Sequence, residues 1–380
     1  MLPTEILKNH DTPFYYYDLE VLRRTLELIK SSSDYPGYHV HYALKANVNP
    51  VILRVVADYG LGADTVSGGE IVRALETGFA PHSIVFAGVG KSDREIALAL
   101  RSGIGCFNVE SSEELARIEE LAREVGETAN VALRVNPDVD AHTHHYITTG
   151  LAENKFGIGM DMLEPIIQHC IDSENINFRG LHFHIGSQIT TLEPFRILCE
   201  RINGLQEYYE SRGILFASIN VGGGLGIDYD DPDANPIPDF RSYFEVFHRY
   251  LQLRPGQELH FELGRSIVGQ CGSLISRVLY VKSGRTKKFV ILDAGFTELI
   301  RPALYGAYHK IQNLTSHSDI MDKYDIVGPI CESSDTFGTD VLLPEPRRGD
   351  IIALRSAGAY GEVMASQYNC RTLPKSIFKE

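Results

Sequence analysis

The chain has 380 residues, of which 43% are hydrophobic, 9% aromatic and 23% charged, the balance of a globular protein with a substantial core rather than of a disordered or fibrous one. Lysine plus arginine (36) falls short of aspartate plus glutamate (50), and the formal charge of −14 argues against nucleic acid as a main partner while leaving a local anion site open. Six cysteines (Cys106, Cys170, Cys199, Cys271, Cys331 and Cys370) include no CxxC pair, which excludes a zinc cluster and a disulfide framework and predicts reduced thiols in a cytoplasmic protein. No basic segment followed by an apolar one opens the chain, and no stretch reaches the roughly 18 apolar residues of a membrane span. No membrane association is expected.

In chain order, Phe14 to Asp18 reads as a strand ahead of a helix at Val21 to Ser31. From residue 39 short apolar runs alternate with longer amphipathic stretches. The runs His39 to Leu44, Gly62 to Val66, Ile84 to Ala87, Gly105 to Val109, Val131 to Val135, Gly180 to Ile185, Ser218 to Val221 and Leu259 to Leu263 are the predicted strands. Helices are predicted at Pro50 to Tyr59, Gly69 to Thr77, Asp93 to Arg101, Ser112 to Val125, Met162 to Asp172, Glu193 to Glu210 and Phe240 to Leu251, with Ser92, Ser111 and Asp239 as N-caps. A repeat of about 30 residues fits βα units closing into an α/β (β/α)8 TIM barrel over residues 25–265. An open doubly wound sheet is the alternative, because periodicity does not show closure. After residue 266, Ser273 to Val281, Lys288 to Asp293, Ile326 to Ile330 and Asp350 to Leu354 read as strands without long helices between them. They predict a second, β-rich domain, a barrel or sandwich, built from 266–380 together with 1–24.

A (β/α)8 enzyme places its reactive groups at the C-terminal ends of the barrel strands. There the sequence sets Lys45 after the first strand, Asp64 and Ser67 after the second, His182 and His184 on the sixth, Gly222-Gly-Gly224 after the seventh and Glu262-Leu-Gly-Arg265 at the eighth. A lysine among apolar residues is costly unless paired or deprotonated, and a deprotonated amine can attack a carbonyl; taken alone it reads more readily as a snorkelling lysine, and the other strand ends reverse that balance. The glycine triplet matches neither GxGxxG nor GxxxxGK[ST], so a dinucleotide or P-loop site is not indicated. With Ser187 and Arg265 as added donors, it could hold a single phosphate monoester.

Together, Tyr42-Ala-Leu-Lys-Ala-Asn47, Ala63-Asp-Thr-Val-Ser-Gly-Gly-Glu70, His182-Phe-His-Ile-Gly-Ser-Gln188, Asn220-Val-Gly-Gly-Gly224, Glu262-Leu-Gly-Arg265, Arg301-Pro-Ala-Leu-Tyr305, Gly328-Pro-Ile-Cys-Glu-Ser-Ser-Asp335 and Ala357-Gly-Ala-Tyr-Gly361 resemble the barrel-type pyridoxal-phosphate-dependent amino-acid decarboxylases. Within that family the likeness is to the branch acting on meso-diaminopimelate, and it spans nearly the whole chain. The resemblance implies pyridoxal 5'-phosphate as cofactor, held through the Lys45 amine, with Asp64 near it. Glu262 would partner the pyridine nitrogen, His184 would lie on the ring face, and Ser187, Gly222, Gly223, Gly224, Gly264 and Arg265 would surround the cofactor and its phosphate. Cys331 would be a proton donor, completing with Glu332 the site of a partner subunit, which implies a homodimer with shared sites. Arg265, Arg301 and Tyr305 would receive a remote carboxylate, Glu332 a remote amine, and Tyr360 would lie over cofactor and substrate.

The expected activity is decarboxylation of meso-2,6-diaminopimelate to L-lysine and CO2, the last step of lysine biosynthesis. The alternatives are a decarboxylase of ornithine, lysine or arginine, or a non-catalytic cofactor-binding regulator. The family usually has proline where this chain has Leu263. His142, His144 and His145 fit no zinc spacing, and the aspartates at 228, 230, 231 and 233 lack the glutamate of a calcium loop, so no metal is expected.

Overall fold

Strand β1 (Phe14–Asp18) leads into a helix, Leu19–Ser32, and then into eight strands: β2 (Tyr38–Ala43), β3 (Gly62–Thr65), β4 (Ile84–Phe86), β5 (Cys106–Val109), β6 (Ala129–Arg134), β7 (Ile176–His182), β8 (Ser218–Asn220) and β9 (Glu258–Leu263). All pair in parallel in chain order, and β9 returns to β2, so the sheet is a closed barrel and the open-sheet alternative is excluded. The computed structural model describes residues 2, 7–137 and 155–380. Helices follow the strands where polar residues cap an amphipathic run: the Ser111 hydroxyl accepts from the Glu114 N–H (3.2 Å) and Asp239 from the Ser242 N–H (3.0 Å). Ser92 donates its N–H to the Glu95 carboxylate at 3.1 Å.

The register decides which side chains share a level inside the barrel. Ala43 pairs with Asp64, Asp64 with Val85 and Val85 with Cys106, so the next inward residue of β5 is Asn108. Asn108 pairs with Ala132 and Ala132 with Gly180, which makes His182 the next inward residue of β7. His182 pairs with Asn220 and Asn220 with His260, which brings in Glu262. Asp64, Asn108, His182 and Glu262, on alternate strands, are therefore the four members of one interior layer, and all four are buried.

The second set of strands is β10 (Gly272–Ser283), β11 (Lys288–Leu292), β12 (Ile311–Asn313), β13 (Met321–Val327), β14 (Thr336–Pro344), β15 (Ile351–Leu354) and β16 (Lys375–Lys379). They form one eight-stranded sheet in the order β12-β15-β10-β11-β13-β14, with β1 antiparallel to β10 and β16 parallel to β1. Leu7, Phe14, Tyr16, Ile275, Ile351 and Ala353 form a core on it.

The chain divides into two compact units, one of Thr25–Gly226 and Asp239–Gly264, the other of Met1–Arg24, Ile227–Pro238 and Arg265–Glu380. Relative to the sequence-based range 25–265, the segment Ile227–Pro238 and Arg265 move to the β-rich unit. Within that unit Arg355 donates to both oxygens of Asp233 (3.1 and 3.0 Å), and Lys310 pairs with Asp231 at 3.2 Å. A second difference concerns His184, which lies beyond the end of β7 rather than on it. The Phe183 N–H still reaches the Asn220 carbonyl at 2.7 Å, but Gly222 takes φ +67° and the neighbouring strand turns away. Among the described residues, no helix is long and apolar enough to cross a membrane.

Candidate active site

Lys45 follows β2 on a single 3-10 turn, Leu44–Ala46, and its amine stands 3.8 Å from Asp64 Oδ2. Its side chain is 44% exposed whereas that of Asp64 is 1% exposed. Neither carboxylate oxygen of Asp64 has a hydrogen-bond partner. Burial, then the charge of Glu262, pushes the Asp64 carboxyl well up against the pull of Lys45.

Glu262, in the same layer, is the opposite case. Its Oε1 accepts from Asn108 Nδ2 (2.8 Å) and Asn220 Nδ2 (2.7 Å), and its Oε2 faces His182 Nε2 at 3.1 Å. Burial alone raises its carboxyl, but His182, the Lys45 charge and Asn220 more than offset that and hold it far below the ordinary carboxylate range. Glu262 is therefore held toward its ionised form and Asp64 toward its protonated form, because of the two only Glu262 has hydrogen-bond donors. A carboxylate accepts about four hydrogen bonds, so Glu262 has room for another donor.

His184 Nδ1 accepts from the Gly223 N–H at 3.3 Å, which fixes the imidazole against the glycine triplet. Burial, followed by the charges of Arg134 and Lys45, holds it well below the usual histidine range, so the ring is neutral. The triplet has a packing reason of its own. A Cβ on Gly223 would come within 2.0 Å of the Glu262 carbonyl oxygen and one on Gly222 within 2.3 Å of that of Phe183. The Gly222 N–H is already taken by Asn220 Oδ1 at 2.9 Å. These glycines thus seat the loop on two strand ends, and the amides of Gly222 and Gly223 have partners inside the protein.

Buried ion pairs surround the layer: Arg134 holds Glu110 at 2.7 Å and Lys91 holds Glu114 at 2.6 Å. The sequence pattern did not single out these residues, nor Asn108, and it gave Asn220 a place in a motif but no role; the available signal was a polar side chain at an inward position near the end of an apolar strand.

The remaining sequence-predicted residues belong to the β-rich unit. Arg265 opens a short helix, Arg265–Val268, directly after Gly264, and Arg301 and Tyr305 begin and end another, Arg301–Tyr305. Both arginines are 6% exposed. Arg265 lies over the Tyr360 ring at 5.0 Å, and Tyr360 adopts a left-handed backbone, φ +57°. Cys331 and Glu332 are exposed; the Cys331 N–H faces Asn369 Oδ1 at 3.5 Å and the Glu332 carboxylate accepts from the Tyr368 hydroxyl at 2.9 Å. His142, His144 and His145 lie outside the described residues. The Asp228 carboxylate is occupied by the N–H groups of Asp230 and Asp231 and by Asn235, all at 2.8 Å, and among the described residues no group of His, Cys, Asp or Glu is arranged to hold a metal.

The barrel set fits pyridoxal phosphate on its own chemistry: a reachable amine, a buried carboxyl beside it without hydrogen bonds, and an ionised carboxylate able to partner a protonated pyridine nitrogen. Residues 20–269 match the family model described as pyridoxal-dependent decarboxylase, pyridoxal binding domain. The chain is 59% identical over 376 residues to diaminopimelate decarboxylase of Bacteroides thetaiotaomicron, covering 99% of this chain and 97% of that protein. Diaminopimelate decarboxylase of Helicobacter pylori, solved in complex with L-lysine, is 41% identical with a TM-score of 0.93, covering 99% of this chain and 94% of that one. Lysine/ornithine decarboxylase of Vibrio vulnificus shares the fold, at a TM-score of 0.84 and 21% identity over 99% of this chain and 96% of that one. An interior layer built around one ionised carboxylate, a lysine amine at its rim and near-complete similarity to these enzymes place the chain in the diaminopimelate decarboxylase family of pyridoxal-dependent decarboxylases.

Proposed function

We propose that the protein decarboxylates meso-2,6-diaminopimelate to L-lysine and CO2 with pyridoxal 5'-phosphate. The observation that carries this reading is Glu262, a buried carboxylate kept ionised by Asn108, Asn220 and His182 near the Lys45 amine. When bound, pyridoxal phosphate supplies the electron sink for the pair left on the α-carbon as CO2 departs. Lys45 would hold the cofactor through its amine, and Glu262 would keep a proton on the pyridine nitrogen. His184, neutral and tethered to Gly223, would lie against the ring. Ser187, Gly222 to Gly224 and Arg265 would hold the phosphate. Asp64, 3.8 Å from the Lys45 amine and pushed up by burial, would exchange a proton with that amine.

Only one of the two carboxylates of meso-diaminopimelate leaves. The other, at the remote end with its ammonium, becomes the carboxylate of L-lysine. We assign it to Arg265, Arg301 and Tyr305, because guanidiniums match a carboxylate in planar, two-pronged pairs. Glu332 is assigned to the remote ammonium and Tyr360 to the substrate's upper face. Cys331 is the proposed donor of the proton that replaces CO2, and with Glu332 it would serve the partner subunit of a homodimer. Six free thiols fit a reducing compartment, the cytoplasm.

Mass-resolved product analysis tests this reading. Purified protein loaded with pyridoxal phosphate and offered meso-diaminopimelate, L-ornithine, L-lysine and L-arginine separately should form L-lysine from the first and no diamine from the others. A diamine from any of the others would overturn the substrate, and no product from any would overturn the activity. Inactive Lys45→Ala and inactive Cys331→Ala subunits, mixed and exchanged, should regain part of the activity if sites are shared.

A further inference from the structure

Tyr229 lies in the acidic segment Ile227–Pro238, to which sequence reading assigned no role. Its hydroxyl oxygen accepts from two guanidiniums at once, Arg265 Nη1 at 2.6 Å and Arg301 Nη1 at 3.1 Å. Both cations also approach the ring, at 6.0 and 5.5 Å from its centroid. The loop carrying Tyr229 is tied down by the Asp228 turn, by Arg355 on Asp233 and by Lys310 on Asp231.

Behind Arg301 the polarity of the hydrogen bonds follows from chemistry alone. An arginine only donates, so His309 Nε2 accepts from Arg301 Nη1 (2.9 Å), and the His309 Nδ1–H must donate to the Arg355 carbonyl (2.9 Å). Burial, then the Arg301 charge, pushes His309 down to about 3, so it stays neutral and remains an acceptor. Arg301 is thus gripped from two sides, and the same tyrosine also grips Arg265.

We propose that Tyr229 is the positioning residue of this arginine pair: its oxygen, shared by Arg265 and Arg301, sets the separation at which both can receive the carboxylate on the remote end of the substrate. The inference rests on meso-diaminopimelate being the substrate. Two guanidiniums drawn to one acceptor would otherwise repel, and their forks would not be preset for a planar anion.

A pH dependence follows. The groups facing Tyr229 are Arg265, Arg301 and the neutral His309; Tyr305 and Tyr360 face Arg265, and the ionised Asp228 lies on the same loop. Burial raises the Tyr229 hydroxyl, but Arg265 and Arg301 more than offset this and hold it below the ordinary phenol value. Once ionised it cancels one positive charge of the pair, so affinity for a remote carboxylate falls as pH rises through its titration.

The test is Tyr229→Phe, which keeps the ring and deletes the oxygen. The KM for meso-diaminopimelate should rise about tenfold, the loss expected of a charge-assisted hydrogen bond, with kcat changed less than about threefold. Inhibition by L-lysine, which keeps the remote carboxylate, should weaken by a similar factor. Inhibition by 1,5-diaminopentane, the same chain without that carboxylate, should be unchanged. The alkaline rise in KM beyond that due to the substrate's own amines should disappear. Equal weakening of both inhibitors, or an unchanged KM, overturns the proposal. If Tyr229→Phe does not fold, His309→Asn, which removes the imidazole acceptor from Arg301 and the ring packed edge-on against Tyr229, should show the same selectivity at smaller amplitude, and equal weakening there overturns it too. Failure of the wild-type protein to convert meso-diaminopimelate would instead strike the functional reading, and it is seen before any variant is made.

Discussion

The two ends of the barrel interior carry similar residues in opposite states. Toward the C-terminal ends, Asp64 is buried without a hydrogen bond and Lys45 is half exposed beside it. Toward the N-terminal ends, both ring nitrogens of His41 have partners, Nδ1 the Ser83 carbonyl (3.1 Å) and Nε2 the His260 Nδ1 (2.9 Å), while Arg179 pairs with Glu258 at 3.0 Å. A cavity of about 730 Å³ lies at this lower end, lined by His39, His41, His82, Arg179, Glu258 and His260 among others. Room alone does not mark the working end. An incomplete set of partners does, because a buried polar group left unsatisfied costs stability that a ligand can restore.

The comparison can be broken in three places. Lys45→Ala should reduce turnover by more than about 10³-fold and abolish the borohydride-reducible link to pyridoxal phosphate, read by mass spectrometry. A link surviving at another lysine would remove Lys45 from the site. Glu262→Gln keeps the shape and deletes the charge; kcat should drop by about 10²-fold with the link intact, since a neutral amide does not hold the pyridine proton. An unchanged kcat would mean that the polar layer has no electronic role.

At the lower end, His41→Asn should leave turnover within about threefold and instead alter stability against pH. Burial, then the neighbouring His260, pushes His41 down to about 3, so it is neutral in the folded protein and titrates near 6.5 unfolded. Its contribution is present above about pH 6.5 and is lost as pH falls toward 3. Between pH 7 and 5 the wild type should lose about 2 kcal/mol that the variant does not, measured by urea unfolding at both pH values. A loss of turnover as large as that of Glu262→Gln would show that the two ends are not separate in function.

Much of the barrel was legible because its strands are short apolar runs bounded by capped amphipathic helices, and helices such as Ser112–Val125 and Glu193–Glu210 stand where periodicity sets them. The β-rich unit was harder to read. β14, at the end of the sheet path, is mostly exposed or half-buried, with only Phe337 and Leu343 buried, and β16 is Lys-Ser-Ile-Phe-Lys, stabilised by pairing with β1 some 360 residues away. Such strands owe their form to partners, and a local pattern does not contain those. β7 was placed late for a related reason: Asn177 and Arg179 interrupt its apolar run.

Lys45, Asp64, His184, the glycine triplet and Glu262 could be named from the sequence because each stands at the end of a hydrophobic run, a local signal set by the alternation of side chains along a strand. What distinguishes Asp64 from Glu262 could not. Both are buried carboxyls of one layer, and register alone brings Asn108, His182 and Asn220, from three other strands, onto one of them and none onto the other. The place of Tyr229 between two arginines is likewise a tertiary result, joining positions 36 and 72 residues away along the chain. Residue types and their spacing determine which chemistry is available, whereas charge state and pairing depend on distance through space, which only the closed fold sets.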